Sequence, residues 1–358
     1  SAALCSGTAL TASSARAQQQ TFHLDRLEVP GAPDDGQVLF RPVTQEHSIF
    51  YTQLGLGLAI NPLRTNNITN FDSALRASSG HAVTSQFSSY LSAGFELLDS
   101  LTLGLTLPIA WEEAGNQPVY PASPFGGVAY TNFATSGPAV GDIRIDARYV
   151  AWRSADRSRA LGFQLDLFAP SGTTTNFGGD GATSAMFMAT GEWTPRHLPT
   201  FIANTGFDFR HDNSINDPAG VHGAPQGLGI ADEWRWAIGA LLPLHDGKFR
   251  LGATIFGQTG LTNDAITGPT FFTAQNTPIE WNIEGRMRLP IPDGGDHWFA
   301  GLSGGSRITG GYGAPDVRVV ATIGTYWPIE DTSPYSPAAR MKIRESIRES
   351  LKDTDGDG

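Results

Sequence analysis

Between residues 48 and 328 the chain repeats one unit about twelve times, a run of roughly ten residues in which apolar side chains alternate with polar or small ones. Alternation at period two sorts the two sets onto opposite faces of a β-strand. Ten residues is also about the length a tilted strand needs to cross the hydrocarbon layer of a membrane. The connections alternate as well. Short turns at Asp99-Ser100, Ser154 to Arg157, His245-Asp246-Gly247 and Pro292 to Asp296 take turns with long stretches rich in Gly, Pro, Asn and Thr at 61–80, 113–138, 212–229 and 260–277. This rhythm predicts an all-β fold, a transmembrane antiparallel up-and-down β-barrel of about 12 strands over 48–328 in a bacterial outer membrane. Short turns and both termini would face the periplasm, and long loops the outside.

Composition supports strands as the crossing elements. Charged residues make up 16% of the chain, against roughly 25% in soluble domains. No uninterrupted apolar stretch approaches the 18 or more residues of a membrane helix. A net charge of −11 excludes a nucleic-acid partner, which would need a basic footprint.

Each strand separates its residues cleanly by face. In the clearest, Leu101, Leu103, Leu105, Leu107, Ile109 and Trp111 point one way and Thr102, Gly104, Thr106 and Ala110 the other, with Pro108 predicting a bulge or frayed end because it cannot donate to the ladder. Around 143–151, Ile143, Ile145, Ala147 and Tyr149 alternate with Arg144, Asp146 and Arg148. Around 279–289, Ile279, Trp281, Ile283, Met287 and Leu289 alternate with Glu280, Asn282, Glu284, Arg286 and Arg288. An Arg or Lys on the lipid face costs about 2–4 kcal/mol at the membrane midplane, which assigns the charged face to the lumen. The same argument places Asp166, Asp208, Arg210, Glu233, Arg235 and Arg318 there. Near-balanced opposite charges in a narrow barrel should pair across it, since buried charges require partners. Trp111, Trp152, Trp193, Trp234, Trp298, Tyr326 and Trp327, near strand ends, form the expected aromatic girdles. Outer-membrane lipid and lipopolysaccharide are the partners implied.

The flanks differ in character. Residues 1–17 read as the remainder of a secretory signal peptide, small and apolar, with the only cysteine, Cys5, and an Ala15-Arg16-Ala17 cleavage site. Residues 18–47 are polar and irregular, either a periplasmic lead-in or a partial plug. Residues 329–352 have the composition of a short amphipathic linker helix, with Ile343, Ile347 and Leu351 four residues apart. At 353–358, Asp353, Asp355 and Asp357 with two glycines open an oxygen-ligand calcium loop that is incomplete as it stands. Calcium at that tail in the full-length protein is the one cofactor the sequence implies. The eight His residues lie outside strands or at their ends, and no nucleophile, zinc or phosphate-loop motif is present, so no enzyme is expected.

Several segments resemble the barrel domains of the OmpA-like family, specifically the larger delta-proteobacterial and myxobacterial type. They are Phe22-His23-Leu24-Asp25-Arg26, Gly141-Asp142-Ile143-Arg144-Ile145, Pro170-Ser171-Gly172, Gly206-Phe207-Asp208-Phe209-Arg210, Gly311 to Arg318, and the Asp-Thr-Asp-Gly-Asp-Gly tail. In that family such a tail opens thrombospondin type 3-like calcium repeats leading to a peptidoglycan-binding domain. Thr322 to Ile329 further resembles the final-strand signal read by the barrel assembly machinery, with Pro328 departing from it. The resemblance implies a structural barrel that anchors a peptidoglycan-binding region, absent from this chain, to the outer membrane. The alternative is a porin or small-solute transporter using the charged lumen.

Overall fold

The computed structural model describes residues 22–42, 48–64, 81–97, 99–115, 136–174, 176–196, 198–217, 226–245, 247–263, 268–291 and 295–329, together with Ser346. The expected signal segment 1–17 and the calcium-loop residues Asp353, Asp355 and Asp357 lie outside the described residues. So does the expected helix 329–352, apart from Ile329 and a helical Ser346.

The described residues form fifteen strands in chain order: β1 (Ile49–Arg64), β2 (His81–Leu97), β3 (Leu101–Ala114), β4 (Gly137–Val140), β5 (Ile143–Arg153), β6 (Arg159–Ala169), β7 (Ser184–Trp193), β8 (Thr200–Phe209), β9 (Asn213–Asp217), β10 (Gln226–Ile230), β11 (Glu233–Leu244), β12 (Phe249–Gly260), β13 (Ile279–Ile291), β14 (Gly295–Arg307) and β15 (Val317–Pro328). Twelve of them form one antiparallel ring, β1-β2-β3-β5-β6-β7-β8-β11-β12-β13-β14-β15, which closes where β15 pairs with β1 from Ile49↔Pro328 to Ile60↔Val317. Closure gives every strand two neighbours and removes the edges that a lipid environment cannot satisfy.

Of the three short strands, β4 joins the sheet of the ring, whereas β9 and β10 make a two-stranded sheet of their own. β4 continues the line of β5 along β3, with Ile109↔Val140 and Thr106↔Arg144 on either side of a break. Pro108 faces that break, so the irregularity expected at Pro108 falls in its partner, at Gly141-Asp142; there Gly141 N donates to the Pro108 carbonyl at 2.8 Å. β9 and β10 form a hairpin, Asn213↔Ile230 to Asp217↔Gln226, in the long connection between β8 and β11.

Connections fall into two classes at opposite ends. Short turns join β2–β3, β5–β6, β7–β8, β11–β12 and β13–β14, whereas the other six connections are longer. Tight reversals need residues in the left-handed region, and Asp99 (φ 57°), Arg157 (φ 56°) and His245 (φ 49°) supply them. β1 begins and β15 ends at the short-turn end, since Ile49 pairs with both Pro328 and Glu96.

The two faces of the wall keep strict phase. Leu103, Leu105, Ile145, Leu165, Phe187, Phe207, Ile255 and Ile283 point outward and are exposed; Thr106, Arg144, Asp166, Asn204 and Glu284 are buried inside. Aromatics rim the outer face. Trp111 and Trp234 stand at the long-connection end, with Trp234 packed edge-on to Phe272 at 6.2 Å. Trp152, Trp193, Trp298 and Trp327 stand at the other end, with Trp327 stacked on Phe50 at 5.7 Å. Tyr326 corrects the girdle assignment. It is 8% exposed and its hydroxyl accepts from Arg288 inside the lumen, because adjacent residues of one strand, Tyr326 and Trp327, cannot share a face.

An arginine on the outward face should therefore be costly and one that keeps the phase should not. Ile283→Arg, at a position 58% exposed, is expected to lower folding stability by about 2–4 kcal/mol. Denaturant titration in lipid vesicles checks this.

Candidate functional site

A ring of twelve strands is wider than wall side chains can fill, since about eight already enclose a packed interior. Here the space is taken by the segment 22–42, which runs through the lumen. Among its residues Phe22, Leu24, Leu27, Val29, Leu39 and Phe40 are buried. It forms no strand ladder with the wall. Wall side chains instead meet its backbone and its charged groups, level by level.

At the long-connection end the segment is capped by an apolar cluster. Phe22 packs edge-on against Phe177 at 5.2 Å and Tyr312 at 5.6 Å, with Leu24, Leu63, Val83 and Ile230 completing it. Leu24 N donates to the Phe177 carbonyl at 3.0 Å, and His23 N donates to the Asp180 carboxylate at 2.9 Å. Asp180 lies in the β6–β7 connection. Burial alone would raise its pKa, but Arg210, which donates to both of its oxygens at 2.5 and 2.8 Å, holds it well below the usual carboxylate range.

The middle level is a buried ionic layer. Asp25 accepts from Arg318 at 2.8 Å and from the hydroxyls of Ser88 and Tyr90; Arg318 also grips Glu280 through two bonds, 2.9 and 3.1 Å. Arg26 donates to Glu233 at 3.3 Å and lies over the Tyr312 ring at 4.6 Å. Glu28 accepts from Arg144 at 2.7 Å and Arg235 at 3.5 Å, while the Val29 carbonyl takes a second Arg144 bond at 3.0 Å.

At the short-turn end the segment reverses through Ala32 to Asp35, with Asp35 N donating to the Ala32 carbonyl at 3.2 Å. Four wall arginines converge on that turn. Arg148 holds the Asp35 carboxylate through two bonds, 2.7 and 2.8 Å; Arg250 donates to the Asp34 carbonyl at 2.7 Å and to the Asp35 carbonyl; Arg286 also donates to the Asp35 carbonyl; Arg288 comes within 3.5 Å of the Asp34 carboxylate. Beyond the turn, Gln37 N donates to Glu284 at 2.6 Å, the Asn204 side-chain amide accepts from Phe40 N at 3.0 Å and donates to the Phe40 carbonyl at 2.8 Å, and Arg41 pairs with Glu192 through two bonds of 2.7 Å. Wall glycines make room. A Cβ at Gly239 would meet Leu39 Cδ1 at 2.7 Å, and one at Gly301 would overlap the Gln37 amide.

All thirteen charges assigned to the lumen from sequence do face it, but they are not mainly paired across it. Arg210 with Glu233 (3.2 Å), Arg318 with Glu280, Arg144 with Asp146 (3.6 Å) and Arg235 with Asp208 (3.7 Å) are wall-to-wall pairs. Asp166 is held by two Gln164 bonds. Arg148, Arg286, Arg288 and Glu284 answer to the segment. Sequence reasoning missed Asp25, Arg26, Glu28, Asp34, Asp35 and Arg41 on the segment, and Glu192 opposite them. The available signal was four acids within eleven residues, 25–35, facing an arginine-rich set of strand faces.

One part of the lumen carries an apolar patch. Val38, Phe40, Met186, Met188, Ala237 and Phe256 line a cavity of about 50 Å³ between the segment and β7, β8, β11 and β12, together with the charged Arg26, Glu28, Arg235 and Glu280 and the amides of Asn204 and Gln258.

A closed antiparallel barrel with an apolar outer face, its lumen filled by residues 22–42, has the architecture of an outer-membrane β-barrel protein rather than of a soluble one. The profile of the family described as "Putative MetA-pathway of phenol degradation" matches residues 66–291, and the chain belongs to that family. Among solved structures, an outer-membrane channel from Pseudomonas putida F1 aligns with a TM-score of 0.52 at 12% identity, over 80% of this chain and 98% of that one. The NanC porin aligns at 0.42 with 7% identity over 78% and 99%, and a FadL homologue from Pseudomonas aeruginosa at 0.40 with 10% identity over 86% and 98%. No protein of established function matches the sequence significantly. The family assignment replaces the OmpA-like resemblance, on which the expectation of a peptidoglycan anchor rested; the segments that carried that resemblance have local structural roles here. Gly141-Asp142, for instance, serves a local purpose, the Asp142 carboxylate accepting from Gly172 N at 2.8 Å and Asp180 N at 3.0 Å to fold the β6–β7 connection.

Removing one partner of a buried ion pair costs about 3–5 kcal/mol because the other charge is stranded. Arg318→Met strands both Asp25 and Glu280, so a stability loss of that order is expected in the denaturant midpoint of the full chain in detergent.

Proposed function

We propose that the protein is a diffusion channel of the outer membrane for small, largely apolar solutes, with residues 22–42 as its internal gate. The observation that carries this reading is how the segment is held. It is an occupant of a preformed ring, linked to the wall by side-chain contacts and by no strand pairing, so it can leave without breaking the ring's hydrogen-bond ladder. The apolar patch at Phe40, Met186, Met188 and Phe256 offers a small aromatic solute a surface between the charged levels, and the family's description points to the same class of molecule. On this reading the chain binds and passes solute without transforming it.

A reversible tether tests the gate in the full chain. A Cβ built at Gly31 lies 2.9 Å from Ser92 Cβ, so cysteines at both positions reach disulfide geometry with a small shift. In a Cys5→Ser background, Gly31→Cys/Ser92→Cys should be silent in planar bilayers when oxidised and show steady openings when reduced. Equal silence in both states would sink the channel reading. Gly301→Val, which displaces the Gln37 amide from its seat, should raise the opening frequency of the untethered protein in the same recording.

A further inference from the structure

We infer that the Ala32–Asp35 turn sits in a solute site of the wall, one built for a small aromatic carboxylate, and that the turn stands in for that ligand while the gate is closed. The inference rests on the channel reading and names its solute class.

The first observation is an arrangement of the wall that does not stabilise itself. Arg250 and Arg286 are direct cross-strand partners on β12 and β13, both facing the lumen. Like charges directly opposite each other weaken a sheet pair. Their shared acceptor is the Asp35 carbonyl, and Arg148, from the far side of the lumen, closes on the Asp35 carboxylate with the two-pronged geometry that guanidinium and carboxylate favour. Three guanidiniums thus meet around one residue; the Glu284 and Asp34 carboxylates lie near Arg250 and Arg286, but the hydrogen bonds these two arginines make go to neutral oxygens, the Asp34 and Asp35 carbonyls and Gln53 Oε1. An anion with two oxygens would satisfy them more fully than the turn does.

The second observation is the surface beside those arginines. Ala32 packs into a cluster with Tyr51, Phe299 and Tyr326, all buried, and the Arg286 guanidinium lies 4.5 Å from the centre of the Phe299 ring. The turn therefore presents a small apolar group to aromatic rings and a carboxylate to arginines, a few ångströms apart. A benzoate-like molecule carries those two features in one rigid body. A cavity of about 30 Å³ already borders the site at the short-turn end, next to Arg250, Arg288 and Tyr326. Displacing the turn enlarges it.

Binding and opening are then coupled. A carboxylate that takes Arg148, Arg250 and Arg286 removes the contacts that hold the turn, and the segment loses its lower anchor. Asp35 acts as a competitor inside the chain.

The test is equilibrium dialysis of benzoate against the full-length protein in detergent, with acetate and benzyl alcohol as the comparison probes, alongside the bilayer recordings of the tethered protein. Benzoate should bind more tightly than either, and Arg250→Gln or Arg286→Gln should weaken it about tenfold or more. Asp35→Asn removes the charge of the stand-in and should tighten benzoate, an effect that misfolding cannot imitate. Benzoate bound no better than benzyl alcohol, or bound equally by wild type, the arginine variants and Asp35→Asn, overturns the inference even if the reduced tether conducts. Silence of the reduced tether overturns the channel reading instead, and the dialysis still decides the site.

Discussion

Inside a lipid bilayer no water is available to unpaired peptide groups, so a spanning sheet has to close on itself. The long antiparallel pairing of β15 with β1 is where this chain meets that requirement, and the rest follows from it. Closure fixes which face of every strand sees lipid. It also creates an interior that is cut off on all sides, in which each charge must find its partner locally. Twelve strands enclose more space than the wall's own side chains fill. The segment 22–42 and the charges around it are the response to that geometry.

Wall and segment complete each other. Arg250 and Arg286 oppose one another across a strand pair, as do Asp146 and Asp166. Neither pairing suits an empty sheet. The first is reconciled by the carbonyls of the Ala32–Asp35 turn, the second by Arg144, which itself reaches Glu28 on the segment. The apolar cap around Phe22 and the aromatic cluster around Ala32 hold the segment at the two ends, and the ionic layer holds it between them.

The twelve strands were legible because burial on one face and lipid on the other impose the same period of two on every crossing. The charged residues were legible as lumen residues for the same reason. Their partners were not, since a segment that runs through a lumen without pairing as a strand has no period to read, and residues 18–47 stayed open between lead-in and plug. Tyr326 shows a smaller version of this limit. It was grouped with Trp327 by residue type and position, although strand phase alone puts the two on opposite faces. The OmpA-like resemblance misled because it rested on short segments such as Gly141-Asp142-Ile143-Arg144-Ile145, whose Gly141 and Asp142 serve the fold of a local connection.

The contacts of residues 22–42 come from nearly the whole circumference: Gln53 on β1, Tyr90 on β2, Arg148 on β5, Glu192 on β7, Asn204 on β8, Arg235 on β11, Arg250 on β12, Glu284 on β13 and Arg318 on β15. The segment also leads directly into β1, one side of the closing seam. A thread enclosed by a ring is either surrounded as the ring forms or drawn through it afterwards. Because its partners stand on strands from both ends of the sequence, the thread's set of contacts is complete only when the two ends of the sheet have come together, so the filling of the barrel and the closing of its seam are one cooperative event.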